Sequence, residues 1–190
     1  MTVYDFKVDN LEQLPKFSGM SVVSDCDGTL FEHGTTNLYP DVAQVLATVG
    51  CLALVSAHPD DDLLEQRKQI LDAEISVNSN KPVWYKGKLF NQVAKSIGRL
   101  SNKAIILGDR PIADVGVAKF IFAKHNIQTL GVRVERPNQP HPSKADYLLR
   151  PILDFGSRLI KATGQDNHFR PHEDEGFEIA QRFINQENQE

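Results

Sequence analysis

A chain of 190 residues with 41% hydrophobic content is long enough to bury one sizeable core, and its length favours one domain over two. A formal net charge of −4 argues against broad nucleic-acid binding through a positive surface. Cys26 and Cys51 are too few for a disulfide framework, which favours a reducing, cytoplasmic setting.

The N-terminus carries Asp5, Lys7, Asp9 and Glu12 without the basic start and apolar stretch of a signal peptide. No apolar run approaches the roughly 20 residues of a membrane-spanning helix, so any membrane contact is expected to be peripheral. Met20–Ser24 reads as the first buried strand. After a loop, Pro40 opens a helix with Val42, Val45, Leu46 and Val49 on one face, ending at Gly50. Cys51–Val55 is a second strand that stops at Ser56. The run Asp60-Asp61-Asp62 suits the solvated first turn of a helix better than a metal cluster, with Leu63, Leu64, Ile70 and Leu71 as its buried stripe.

Glu74–Val77 is a short third strand, and Leu89–Ile97 a helix with Phe90, Val93, Ala94 and Ile97 facing inward. Ala104–Leu107 delivers Gly108-Asp109 to a second acidic turn. Ile112–Lys124 is apolar on nearly every side and predicts the least exposed helix. Thr129–Val134 is a further strand, after which Pro137, Pro140 and Pro142 mark a loop. Residues 152–162 look helical; 164–176 is polar, followed by a short amphipathic helix around Phe177–Ile184. The alternation of strands and helices predicts an α/β fold, a mostly parallel sheet covered by helices. Its core spans 1–163, with 164–190 as a linker and tail.

Val22-Val23-Ser24-Asp25-Cys26-Asp27-Gly28-Thr29 carries the chemistry. An apolar strand delivers two aspartates, two apart, to a glycine turn. Asp25 suits a nucleophile and Asp27 a proton donor to the leaving oxygen, provided that the Asp27 pKa rises in the substrate complex. Such a pair offsets the slowness of phosphate-monoester hydrolysis. A hard cation needs oxygen ligands, and Asp109 and Asp114 supply two more carboxylates just after a strand. Asp25, Asp109 and Asp114 would meet around Mg²⁺ if the two strands are adjacent.

These residues resemble the haloacid dehalogenase superfamily of phosphohydrolases over roughly residues 20–135. Asp25, Asp27 and Thr29 match its Asp-x-Asp-x-Thr motif, Ser56 its phosphate-binding residue, Lys81 its lysine, and Asp109 with Asp114 its acidic pair. The resemblance implies a three-layer Rossmann-like fold with the site at the carboxyl ends of the strands, and a two-step reaction through an aspartyl-phosphate. It implies Mg²⁺ held by Asp25, the Asp27 carbonyl, Asp109 and Asp114. Ser56 and the Ala57 amide would hold the phosphoryl oxygens, with Lys81 neutralising Asp25 and the phosphate.

The short connections after Thr29 and Ser56 leave no room for a cap domain. The implied open site suits a bulky phosphorylated substrate or cover by a second subunit of an oligomer. A narrower likeness, to the phosphatidylglycerophosphate phosphatase branch, departs at Gly28, Ala57 and Ala113. Lys81 to Lys88 interleaves cations with Trp84 and Tyr85, a composition suited to a lipid interface or a stacked base, though such aromatics more often pack. His33 and His58 are candidates for the flap and the substrate side, while His168 and His172 belong to the tail. The alternative is a catalytically silent module that binds a phosphorylated ligand or a partner protein.

Overall fold

The computed structural model describes residues 4–58, 60–78, 86–136 and 176–185. Strand-forming segments rich in Val, Ile, Leu and Ala assemble into a six-stranded, all-parallel sheet. They are β1 (Phe6–Val8), β2 (Ser21–Asp25), β3 (Cys51–Ser56), β4 (Ile75–Asn78), β5 (Lys103–Gly108) and β6 (Gln128–Val134). Their spatial order is β1-β6-β5-β2-β3-β4. The three central strands β2, β3 and β5 are buried at every residue, as a parallel sheet covered on both faces requires.

Alternate residues of the central strands feed two cores. Val22, Leu52, Leu54, Ile105 and Leu107 face one side, where α1 (Val42–Leu46) packs Val42, Val45 and Leu46, and α2 (Asp61–Leu71) packs Leu64. Val23, Ala53, Val55, Ala104 and Ile106 face the other, against α3 (Lys86–Ile97) and α4 (Val117–Lys124). This period-2 division makes a three-layer α/β/α, Rossmann-like architecture.

Strand order reverses at β2, whose neighbours are β3 on one side and β5 on the other. In open α/β sheets, the crevice at the carboxyl ends of such a strand pair is where ligands bind. Asp25 ends β2, and Asp109 follows the last residue of β5.

Several expectations change. The edge strand β1 pairs with β6 through Phe6 opposite Val132; three residues carry too little periodicity to announce it. The helix after Pro40 is only Val42–Leu46, shorter than its pattern to Gly50 suggests. In α2, Ile70 is 50% exposed, whereas Arg67 is fully buried, so the inward stripe is not wholly apolar.

The segment from 112 to 124 is not one deep helix. A π-helical turn, Pro111–Gly116, precedes α4, with both Asp114 N and Val115 N donating to Arg110 O, and Phe120 of α4 is 56% exposed. The last helix, α5 (Gly176–Asn185), buries Ala180 in the first core and carries Phe183, over which Lys103 Nζ lies 5.6 Å from the ring centroid. The helix expected over 152–162 lies outside the described residues.

Candidate functional site

The turn after β2 is built by its backbone. Cys26 O accepts from Thr29 N, Leu30 N and Phe31 N, while Gly28 N donates to Phe31 O at 2.8 Å. Gly28 has φ +73, in the left-handed region that glycine adopts without strain. This tight turn presents the Asp25 and Asp27 side chains, two residues apart, to one cavity.

At the end of β5, an ideal Cβ on Gly108 would lie 2.6 Å from Asp114 Cβ, so only glycine lets Asp114 pack against the strand end. Arg110 N donates to Asp114 Oδ2 at 3.1 Å, and the widened turn returns that carboxylate towards β2. Carboxylate oxygens of Asp25, Asp109 and Asp114 consequently lie within 4.8 Å of one another.

Lys86, the first residue of α3, reaches into this cluster. Its Nζ donates to Asp25 Oδ1 at 2.7 Å and to Asp114 Oδ1 at 2.5 Å, and all three side chains are buried. Sequence patterning did not single out Lys86. Its signal was its position three and four residues before Leu89 and Phe90, which puts it on the buried stripe of α3. Lys81 lies outside the described residues, as do Trp84, Tyr85, His168 and His172.

Burial pushes the Asp25 carboxyl up; Lys86 lowers it, the charges of Asp114 and Asp27 raise it again, and it settles at about 6. Asp109 is raised well above its ordinary value by burial, then by Asp114 and Asp25. Burial disfavours the Lys86 cation, but the charges of Asp114 and Asp25 outweigh it and hold the ammonium above the usual lysine range. Cys26 is driven up by burial and then by the Asp25 charge, so it stays a thiol and supplies no nucleophile near neutral pH.

Asp27 is bound differently from Asp25. Its Oδ1 accepts from Arg67 Nη2 at 2.8 Å and from Gly34 N at 2.8 Å, with His33 Nδ1 at 3.9 Å. Burial raises this carboxyl, but the hydrogen bonds from Arg67 and Gly34 and the charges of Arg67 and His33 take it below its ordinary value. A rise in the Asp27 pKa, which proton donation needs, is thus opposed by this setting. Arg67 was hidden by its polarity, although Leu64, Arg67 and Leu71 occupy i, i+3 and i+7 on one face of α2.

A cavity of about 300 Å³ is lined by Asp25, Asp27, His33, Ala57, His58, Lys86, Asp109 and Arg110. Ser56 ends β3 beside it, buried, with its Oγ accepting from His58 N at 3.1 Å. Ala57 and His58, rather than Ser56, line the space. His58 Nδ1 in turn accepts from Asp60 N at 3.2 Å, which puts its ring proton on Nε2. The run Asp60-Asp61-Asp62 is a helix start: Asp60 caps α2 by accepting from Leu63 N at 3.1 Å.

The donor set fits a hard divalent cation. Three carboxylates converge, and buried Asp109 Oδ1 has no hydrogen-bond partner among the described residues, a state that an oxygen-seeking ion would relieve. Among the described residues, no helix is long and apolar enough to cross a membrane. No family model, curated protein or solved structure matches this chain. The fold and site therefore define it as a Rossmann-like α/β protein with an acidic cluster at its topological switch point.

Proposed function

We propose that this protein is a Mg²⁺-dependent phosphatase that hydrolyses a phosphate monoester through an aspartyl-phosphate, in the manner of the haloacid dehalogenase superfamily that its motifs resemble. The observation that carries the proposal is the meeting of Asp25, Asp109, Asp114 and Lys86 at the carboxyl ends of β2 and β5, with Asp27 lining the same cavity. A binding module for a phosphorylated ligand has no need of so many carboxylates, since each repels the phosphate.

Asp25 is the nucleophile. Lys86 holds its Oδ1 and favours its charged form, against burial and the neighbouring acids. Asp109 and Asp114, with Asp25, would hold the cation; when bound, it supplies positive charge to the phosphoryl oxygens as they develop charge in the transfer. Ala57 and His58 line the cavity in which the phosphoryl group would lie. Asp27 passes a proton to the leaving oxygen and takes one from water in the second step; the negative charge of the bound phosphate supplies the rise in its pKa that donation needs, against the hydrogen bonds from Arg67 and Gly34.

The direct test is release of p-nitrophenol from p-nitrophenyl phosphate with Mg²⁺, and its loss on chelation. Asp25→Asn should reduce turnover to background while far-ultraviolet circular dichroism stays that of the parent. Unchanged turnover in this variant removes Asp25 as nucleophile.

A further inference from the structure

Arg67 is fully buried, with Cζ 5.0 Å from the centroid of the Phe31 ring. Its guanidinium bridges two parts of the loop after β2. Nη2 donates to Asp27 Oδ1 at 2.8 Å, and Nε donates to Thr35 O at 2.8 Å. Gly34 N donates to the same Oδ1 at 2.8 Å. The loop from Phe31 to Thr35 is thereby closed over the side chain of Asp27 by one planar cation and one amide.

This geometry distinguishes the two oxygens of Asp27. Oδ1 is occupied by two strong donors from α2 and the loop. Oδ2 has no hydrogen bond among the described residues, and Asp27 lines the cavity. Arg67 meets the carboxylate through Nη2 and the Thr35 carbonyl through Nε, so its rigid guanidinium holds Asp27 Oδ1 and the loop at a fixed spacing that a lysine ammonium does not reproduce.

We propose that Arg67 is a positioning residue: by clamping Asp27 Oδ1 to the Gly34–Thr35 loop, it leaves Asp27 Oδ2 as the oxygen that exchanges the proton with the leaving group and then with water. The inference rests on the phosphatase reading above. In the first step an Asp25 oxygen forms a bond to phosphorus as the bond from phosphorus to the leaving oxygen breaks. The electron pair stays on that oxygen, which takes the proton from Asp27 Oδ2. In the second step water attacks the phosphorus of the aspartyl-phosphate and gives its proton to Asp27 Oδ2. Asp25 then departs as a carboxylate, and inorganic phosphate is released.

Leaving groups separate this role from a purely structural one. p-Nitrophenol is acidic enough to depart as its anion, whereas an alkyl alcohol must be protonated as it leaves. Because both esters give the same aspartyl-phosphate, the comparison is made in kcat/KM, which reports only the steps up to departure of the leaving group: Arg67→Met should lower it for an alkyl phosphate by about 100-fold, the scale of a small misplacement of a reacting group. For p-nitrophenyl phosphate kcat/KM should fall by less than about tenfold. In an Asp27→Asn background, Arg67→Met should add no further loss on the alkyl substrate.

Equal losses on both substrates, or losses that multiply in the double variant, would overturn the proposal. If Arg67→Met does not fold, Arg67→Lys serves instead. A lysine has one nitrogen where Arg67 uses two, so it does not hold Asp27 and Thr35 at the guanidinium's spacing and the ratio of alkyl to aryl kcat/KM should still fall; an unchanged ratio rejects the clamp. Failure of the phosphatase reading is separately visible, because the parent protein would then release no phosphate from either ester.

Discussion

Replacing Lys86 by Met removes the cation that lies 2.7 Å from Asp25 and 2.5 Å from Asp114, and puts an apolar stem in the same buried space. Breaking a buried ion pair by deleting one partner costs about 3–5 kcal/mol, because the remaining charge is left unpaired in a medium that solvates it poorly. For a chain of this size, each kcal/mol moves the unfolding midpoint by about 2–4 °C, so a fall of about 6–20 °C follows in the absence of divalent cations.

The loss depends on pH in a definite direction. Asp25 already has a folded-state pKa of about 6 against an ordinary 3.8, so its contribution to stability is full below the lower value and fades as pH rises through the higher one. Without Lys86 the carboxyl rises further, and the variant's deficit should grow between about pH 5 and about pH 8. Thermal unfolding of parent and variant in chelator, at both ends of that range, measures it. Saturating Mg²⁺ should narrow the gap, since a bound cation replaces part of the missing charge. Equal midpoints for parent and variant at the upper pH, or a larger deficit at the lower one, would refute the assignment of Lys86 as the counter-charge of the cluster.

The raised carboxyls of Asp25 and Asp109 must lose their protons to bind metal. Mg²⁺ affinity should therefore increase from about pH 5 to about pH 8, and titration calorimetry near the lower end should give an enthalpy that varies with the buffer's own ionisation enthalpy. An enthalpy independent of buffer would show that no proton leaves. Gly108→Ala places a Cβ 2.6 Å from Asp114 Cβ; it should cost about 1–3 kcal/mol in denaturant unfolding and weaken Mg²⁺ binding by displacing that carboxylate. Retention of both stability and affinity would mean that the close approach at Gly108 does not position Asp114.

Much of this architecture was legible because it is written locally. Buried parallel strands such as Ser21–Asp25 and Lys103–Gly108 are built on short apolar segments, Val22-Val23 and Ala104–Leu107, and each leads into a glycine-containing acidic turn. The helix start at Asp60 follows from the capping preference of short acidic side chains. Elements whose signal is not local escaped. β1 is three residues held at an edge by β6, and the π-helical turn at Pro111–Gly116 depends on the packing of Asp114 beneath Gly108.

The amino-acid sequence by itself determined the parallel α/β plan, the ends of the strands on which Asp25 and Asp109 stand, and the candidacy of Asp27 and Asp114. A chain reading could not say which cations complete the site. Lys86 and Arg67 each sit on the inward stripe of a helix, at positions where hydropathy favours an apolar residue. Their burial is tolerable only because Asp25 and Asp114 meet one and Asp27 the other, across sequence separations of 61, 28 and 40 residues. Charge compensation of that kind is a property of distances in space, so only the tertiary structure decided it.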